Sequence, residues 1–338
     1  MDLYLIWFFL LGVLLIGYAI LDGFDLGVGA WHLFSKGDQE RRLMLNSIGP
    51  VWDGNEVWLV TAGGALFAAF PHAYATAFSG FYLPFMILLW ALIFRAVAIE
   101  FRSKEPMKWW RRMWDVSFSV SSILAAILFG VAVGNLVVGL PIDGTFEYTG
   151  GFFNLLSPYA LTVGVFNLSL FMMHGAIYLY MKTEGELQEK ARTWIYWAYG
   201  VFVAMYIVTT VYTIAVYPRM IENFQTFWWV WIIVALNVLA IANIPRALHK
   251  RLPFRAFISS CCVIAALIFL FGVGMFPNLI VSSTDVENSL TIYNAASSSK
   301  TLGIMLIIAI LGMPCVLAYT ICIYWVFRGK VKLDKYSY

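Results

Sequence analysis

Seven ionisable side chains stand where a chain this apolar has little reason to keep them: Asp22, Asp25, Asp53, Glu56, Arg95, Glu100 and Asp115. Asp22 and Asp25 are three positions apart, as are Asp53 and Glu56 in VWDGNEVW, so each pair shares one face of a helix. An ionisable group inside a bilayer costs about 3 kcal/mol or more unless it is paired or hydrated, so such groups face the bundle interior and carry ions or protons. Burial and a neighbouring cation push a carboxyl group in opposite directions, which lets a site of this kind be tuned to relay protons near neutral pH. Arg95 is the expected counter-ion. Plainer roles stay open: Asp53 and Asp115 can satisfy free N–H groups at helix starts, and Glu56 can snorkel back to water. Arg95 with Glu100 can form an ion-pair network that only locks helices together.

These groups must be positioned by membrane-spanning helices. The chain has 338 residues, of which 62% are hydrophobic, 17% aromatic and only 12% charged, which is more apolar surface than a soluble core of ordinary size can hide. A span needs about 20 apolar residues, and such runs occur at 3–21, 52–71, 76–101, 115–139, 158–181, 195–217, 226–245, 256–276 and 302–327. The expectation is an all-α integral membrane protein of nine transmembrane helices, forming one domain over 1–338. The first run lacks a basic leader and a small-residue cleavage site and reads as a retained span.

Of the 22 lysines and arginines, 19 fall in alternate gaps and the tail: Lys36 to Arg42, Arg102 to Arg112, Lys182 to Arg192, Arg246 to Arg255, and Arg328 to Lys335. The positive-inside rule then places the amino terminus outside and the carboxyl terminus in the cytoplasm, which requires an odd number of spans. All seven ionisable groups fall in the cytoplasmic half, with Asp22 and Asp25 closing the first span and Asp115 opening the fourth. The external gaps 137–158 and 276–301 are rich in Gly, Pro, Ser and Asn and read as ordered surface loops or re-entrant turns.

Other features point away from a redox or nucleotide site. The Gly23–Gly27 spacing allows close helix packing but lacks the G-x-G-x-x-G order of a phosphate loop; Gly63 and Gly64 read as packing surfaces too. His174 is the one histidine well inside a span, with His32, His72 and His249 near span ends or in gaps. No C-x-x-C-H site and no second histidine at helical spacing from His174 suggest a haem. Cys261, Cys262, Cys315 and Cys322 lie in apolar runs and read as small hydrophobes. No basic patch suggests nucleic acid. From the residues alone the chain is a proton- or ion-handling membrane subunit.

The segments ILDGFDLGVG (20–29), ERRLMLNSIGPVWDGNEVWLVTAGGALFAAFP (40–71), FSGFYLPFMILLWALIFRAVAIEFRSK (78–104), RMWDVSF (112–118) and FPNLIVSSTDVENSLTIYNAASSS (276–299) closely resemble subunit II of the cytochrome bd quinol oxidases. The resemblance runs from the first span to the last and is weaker across 185–255. It implies the non-haem subunit of a bacterial terminal oxidase that couples quinol oxidation to reduction of O2 to water. The implied partner, subunit I, carries two haems b, a haem d and the quinol site; this chain would hold no cofactor and no metal. It would support subunit I and contribute a proton path from the cytoplasm, in the bacterial cytoplasmic (inner) membrane. A small single-helix accessory subunit, a structural quinone and lipid are compatible neighbours.

Carried over by position, Asp53 matches the family's membrane-embedded proton-path aspartate. Glu100 stands where a related sequence has Asp, and Lys104 matches the lysine beside the cytoplasmic entrance. Asp25, Arg95 and Asp115 match polar positions of the same region, and Glu56 joins them as a further proton-path candidate. The alternative is an ion-coupled secondary transporter using the same acidic cluster. Such folds show two related halves, whereas these charges lie in the first 115 positions.

Overall fold

The structure is a computed structural model that describes residues 2–333. Helix α1 (Leu3–Trp31) is followed by α2 (Gly37–Ile48), α3 (Trp52–Ala69), α4 (Pro71–Gly80), α5 (Tyr82–Phe101), α6 (Lys108–Val138), α7 (Pro158–Lys182) and α8 (Gly185–Val216). Then come α9 (Arg219–Thr226), α10 (Val230–His249), α11 (Pro253–Met275), a short antiparallel pair of strands, β1 (Asn278–Ile280) and β2 (Leu290–Thr291), and α12 (Ser299–Val326).

The largest departure from the sequence reading concerns the first helix. It does not close at Asp22 but runs on to Trp31, and every residue from Asp22 to Trp31 is buried. The cause is contact with α7. A Cβ at Gly27 would stand 1.9 Å from the Phe171 carbonyl oxygen, and one at Gly175 would stand 2.5 Å from the Gly27 carbonyl carbon. Two backbones this close leave no water to satisfy free N–H and C=O groups, so the chain must keep bonding to itself as a helix. Asp22 and Asp25 are thereby interior residues rather than end caps. The other expected glycine contact is not made within the chain: α3 buries Asn55, Trp58, Ala62 and Ala69, and a Cβ added at Gly63 or Gly64 would meet no atom within 4 Å.

α1 lies at the centre, touching α3, α6, α7, α11 and α12, while α7 also packs on α6, α8 and α11. Eight helices among the described residues are long and apolar enough to cross a membrane. The expected second span, α3, is not one of them, because Asp53, Asn55 and Glu56 in its first turns lower its hydropathy. Its 18 residues still cover roughly 27 Å. The expected third span is shorter than the run 76–101: α4 is a separate helix opened by Pro71, a favoured first-turn residue, and the chain breaks at Phe81 before α5. The fourth begins earlier, at Lys108, which places Asp115 two turns inside α6 rather than at its cap.

Connections gather at two ends. At one, the two Gly- and Ser-rich loops lock together: Leu140 N–H donates to the Val281 carbonyl and Ser283 N–H to the Leu140 carbonyl, both at 2.8 Å. The Thr76 hydroxyl donates to the Phe146 carbonyl at 2.7 Å, and the Trp7 indole to the Leu302 carbonyl at 3.0 Å, tying α4, α1 and α12 to the same end. At the other end lie α2, the turn after α5 and the segment after α12, where most of the basic residues stand; Lys335 lies outside the described residues.

The α1–α7 contact makes a direct prediction. Gly27→Ala forces a methyl group into the Phe171 carbonyl and should cost about 1–3 kcal/mol, lowering the melting temperature of the purified protein. Gly200→Ala, where nothing lies within 4 Å, should leave it unchanged, and equal behaviour of the two would refute the packing account.

Candidate intramembrane charge cluster

Arg95, on α5, is 1% exposed and sits between helices that each supply a carboxylate. Its Nη1 is 2.7 Å from Asp22 Oδ1 on α1, and its Nη2 donates to Glu56 Oε2 on α3 at 3.1 Å. Planar guanidinium geometry lets one side chain hold two carboxylates in different directions, which an ammonium cannot do as rigidly. Asp25, one turn beyond Asp22, accepts at Oδ2 from the Asn55 amide at 2.8 Å. Asn55 in turn accepts at Oδ1 from the Tyr324 hydroxyl of α12, also at 2.8 Å. Four helices therefore meet through polar atoms at one level of the bundle.

Burial is graded across this group. Asp53 is exposed in the first turn of α3, Glu56 one turn on is 22% exposed, and Asp22 and Asp25 are at 0% and 1%. Asp22 and Glu56 pair with the one guanidinium and Asp25 with the Asn55 amide, so the group holds three carboxyl groups and one cation.

Asp115 belongs to a second, separate network. It is 1% exposed and is met by His32 Nε2 at 2.6 Å, Arg41 Nη1 at 2.8 Å and Arg102 Nε at 2.5 Å. Arg102 reaches on to Asp38 at 2.8 Å, and Arg111 to the other oxygen of Asp38 at 3.1 Å. Burial alone would lower the Arg102 guanidinium, but its bonds to Asp115 and Asp38 outweigh that and hold it above its ordinary range. This network clamps the end of α5 to α2 and α6. Glu100 is half-buried at the last turn of α5, and Lys104 is exposed in the turn beyond it.

The structure thus joins Glu56 and Arg95 directly, sets Asp25 beside them, and moves Asp115 to another cluster. Asp22, which the sequence placed among the charges but not among the proton-path candidates, is the nearest partner of Arg95. Asn55, Tyr324, His32 and Arg102 were not singled out as site residues at all. Asn55 sat in view inside WDGNEVW, yet nothing in sequence ties it to a tyrosine 269 positions away.

The histidine expected well inside a span is bonded within the chain. His174 Nδ1 is 2.7 Å from the Ser260 hydroxyl and its Nε2 2.9 Å from the Ile20 carbonyl, so both ring nitrogens are engaged. His32 is wholly buried with Nε2 on Asp115, whereas His72 and His249 are exposed at helix ends. Among the described residues no group of three or more His, Cys, Asp or Glu side chains is placed to hold a metal ion, and the four cysteines are free thiols.

The family model described as cytochrome bd terminal oxidase subunit II matches residues 3–327. The chain belongs to that family. It is 40% identical to cytochrome bd-I ubiquinol oxidase subunit 2 of Escherichia coli K12, over 96% of this chain and 94% of the relative. It is 35% identical to cytochrome bd ubiquinol oxidase subunit 2 of Bacillus subtilis, over 96% of each. A chain of the bd oxidase structure from Geobacillus thermodenitrificans superposes with a TM-score of 0.81 at 18% identity, covering 97% of this chain and 99% of that one, which shows a shared fold. Membership of the bd oxidase subunit II family does not favour a secondary transporter.

For this bd oxidase subunit, Asp115→Asn should remove the carboxylate that pairs with Arg41 and one of the two that pair with Arg102, and cost up to about 3–5 kcal/mol. Thermal unfolding followed by tryptophan fluorescence would show it as an earlier transition than in the exposed-site variant Glu105→Gln. Coincident transitions would mean the network contributes little.

Proposed function

We propose that this chain is the non-haem subunit of a bacterial cytoplasmic-membrane bd oxidase, supporting haem subunit I and conducting protons from the cytoplasm toward it. As a bd oxidase subunit II it is part of a quinol:O2 oxidoreductase. In this reading the whole chain is one helical domain of nine spans, with α3 as the second. The amino terminus is outside, and the ends carrying α2 and the tail face the cytoplasm. The haems b and d supply the electron transfer and oxygen reduction and reside on subunit I. Membrane quinol, lipid, a small accessory subunit and a structural quinone are its further neighbours.

The observation that carries the proton-path reading is the graded burial along α3 and into α1. Asp53 is exposed at the helix start, Glu56 is half-buried, and Asp22 and Asp25 are fully enclosed around Arg95. A proton leaving cytoplasmic water meets carboxylates of decreasing solvation, with Arg95 limiting how many of them lose their charge at once. Glu100 and Lys104, at and beyond the inner end of α5, extend the polar surface toward the cytoplasm on the neighbouring helix. Oxygen reduction consumes protons, so a route of this kind would make each turnover electrogenic without a pump.

Asp53→Asn tests it. In the oxidase complex purified through this chain, haem spectra should stay intact while oxygen consumption falls about a hundredfold, the scale of losing one proton-transfer group. Normal turnover with full haem content would remove Asp53 from the path.

A further inference from the structure

The amide of Asn55 has only one orientation available to it. Its Nδ2 lies 3.2 Å from the Leu21 carbonyl and 2.8 Å from Asp25 Oδ2, and a carbonyl can only accept, so the NH2 group must face both. The opposite side, Oδ1, takes the hydroxyl hydrogen of Tyr324 at 2.8 Å. The Leu21 carbonyl fixes which end of the amide Asp25 meets, and the Tyr324 hydroxyl restrains the other end. Asp25 Oδ1 has no donor among the described residues.

This arrangement dictates where a proton can sit. A proton on Asp25 Oδ2 would weaken that oxygen as the acceptor of the amide N–H, so a neutral Asp25 favours its proton on Oδ1. We propose that Tyr324 and Asn55 are positioning residues for Asp25: the hydroxyl restrains the amide, the amide covers Oδ2, and proton exchange is directed to Oδ1. The inference rests on the proton-path reading above, to which it adds the oxygen atom used and the helix that controls it.

Within this chain the controlling helix is mostly half-buried or exposed. Of the side chains of α12 only Leu302, at its first turn, is buried. At the other end the helix is secured by polar contacts: Tyr324 to Asn55, Lys182 Nζ to the Phe327 carbonyl, and, just past it, Val331 N–H to the Lys182 carbonyl at 2.8 Å. The Asn55–Tyr324 bond lies in the wall of a groove of about 430 Å³ between α3 and α12, lined also by Pro50, Val51, Tyr319 and Ile323. Tyr324 thus connects α12 to a buried carboxylate. The other titratable groups that act on Asp25 are Asp22 on its own helix, Glu56 on α3, Arg95 on α5 and Tyr178 on α7.

Without the Tyr324 hydroxyl the amide loses its restraint at Oδ1 and is held only by the Leu21 carbonyl and Asp25, so it covers Asp25 Oδ2 less firmly. The test uses the intact oxidase complex with Tyr324→Phe, Asn55→Gln and Asp25→Asn. Acid-minus-alkaline infrared difference spectra identify the Asp25 carboxyl as the C=O band lost in Asp25→Asn. Tyr324→Phe should shift that band, displace the pH–rate profile and slow oxygen consumption about tenfold, the scale of one hydrogen bond to a charged group, with haem content unchanged. Asn55→Gln should do the same, and carries the test if Tyr324→Phe does not assemble. An unmoved band and profile in the variants that assemble overturn the positioning role while leaving the proton path standing. A shifted band together with full turnover in Asp25→Asn supports the positioning pair and overturns the proton path through Asp25. No band lost in Asp25→Asn means that Asp25 exchanges no proton, and overturns both.

Discussion

Everything in this fold that bears on function depends on one guanidinium that cannot reach water. Arg95 is enclosed to 1% exposure and must be neutralised where it stands, because an unpaired buried charge costs several kcal/mol. Asp22 and Glu56 do this from two other helices. The pairing fixes the relative height of α1, α3 and α5. It also leaves the cluster with three carboxyl groups to one guanidinium, the feature on which the proposed proton path rests.

A proton path through this cluster requires carboxylates that are dry on one side and reachable on the other. The dry side comes from backbone contact between α1 and α7 at Gly27 and Gly175, which keeps α1 helical past Asp22 and Asp25. The reachable side is the start of α3, where Asp53 is exposed. The Asp115 network plays a different part. With His32, Arg41 and Arg102 around it, Asp115 ties the inner end of α5 to α2 and α6 and so holds the helix that carries Arg95. Two clusters that look alike in sequence, acidic residues with an arginine near helix ends, divide into a group buried around Arg95 and a clamp at the inner end of α5.

Hydropathy and charge bias made the spans and the two-ended distribution of loops legible, since both follow from the cost of placing polar groups in hydrocarbon. Arg95 stood out for the same reason. The length of α1 was not legible: a run of Asp and Gly reads as a helix end until α7 is seen to cover it. The break at Phe81 lies just before Pro84, which has no N–H to give the Gly80 carbonyl and so cannot continue α4, a signal that hydropathy alone does not weigh. The roles of Asn55, Tyr324, His32 and Arg102 were hidden too, because each is defined by a partner on another helix. The intramembrane charges themselves were legible from residue type, and the resemblance to bd oxidase subunit II added Lys104 and the expected role of Asp53. The geometry adds Asp22 and separates Asp115 from the rest.

The most direct measurement is time-resolved proton uptake during a single turnover with oxygen, in liposomes holding the oxidase complex with Asp25→Asn. A pH dye on the side of the basic loops would report it. The account predicts that electrons still reach the haems while proton uptake from that side is delayed and becomes rate-limiting. Uptake as fast as in the unaltered complex would show that protons travel by another route, and the charge cluster around Arg95 would then be a device for holding helices together.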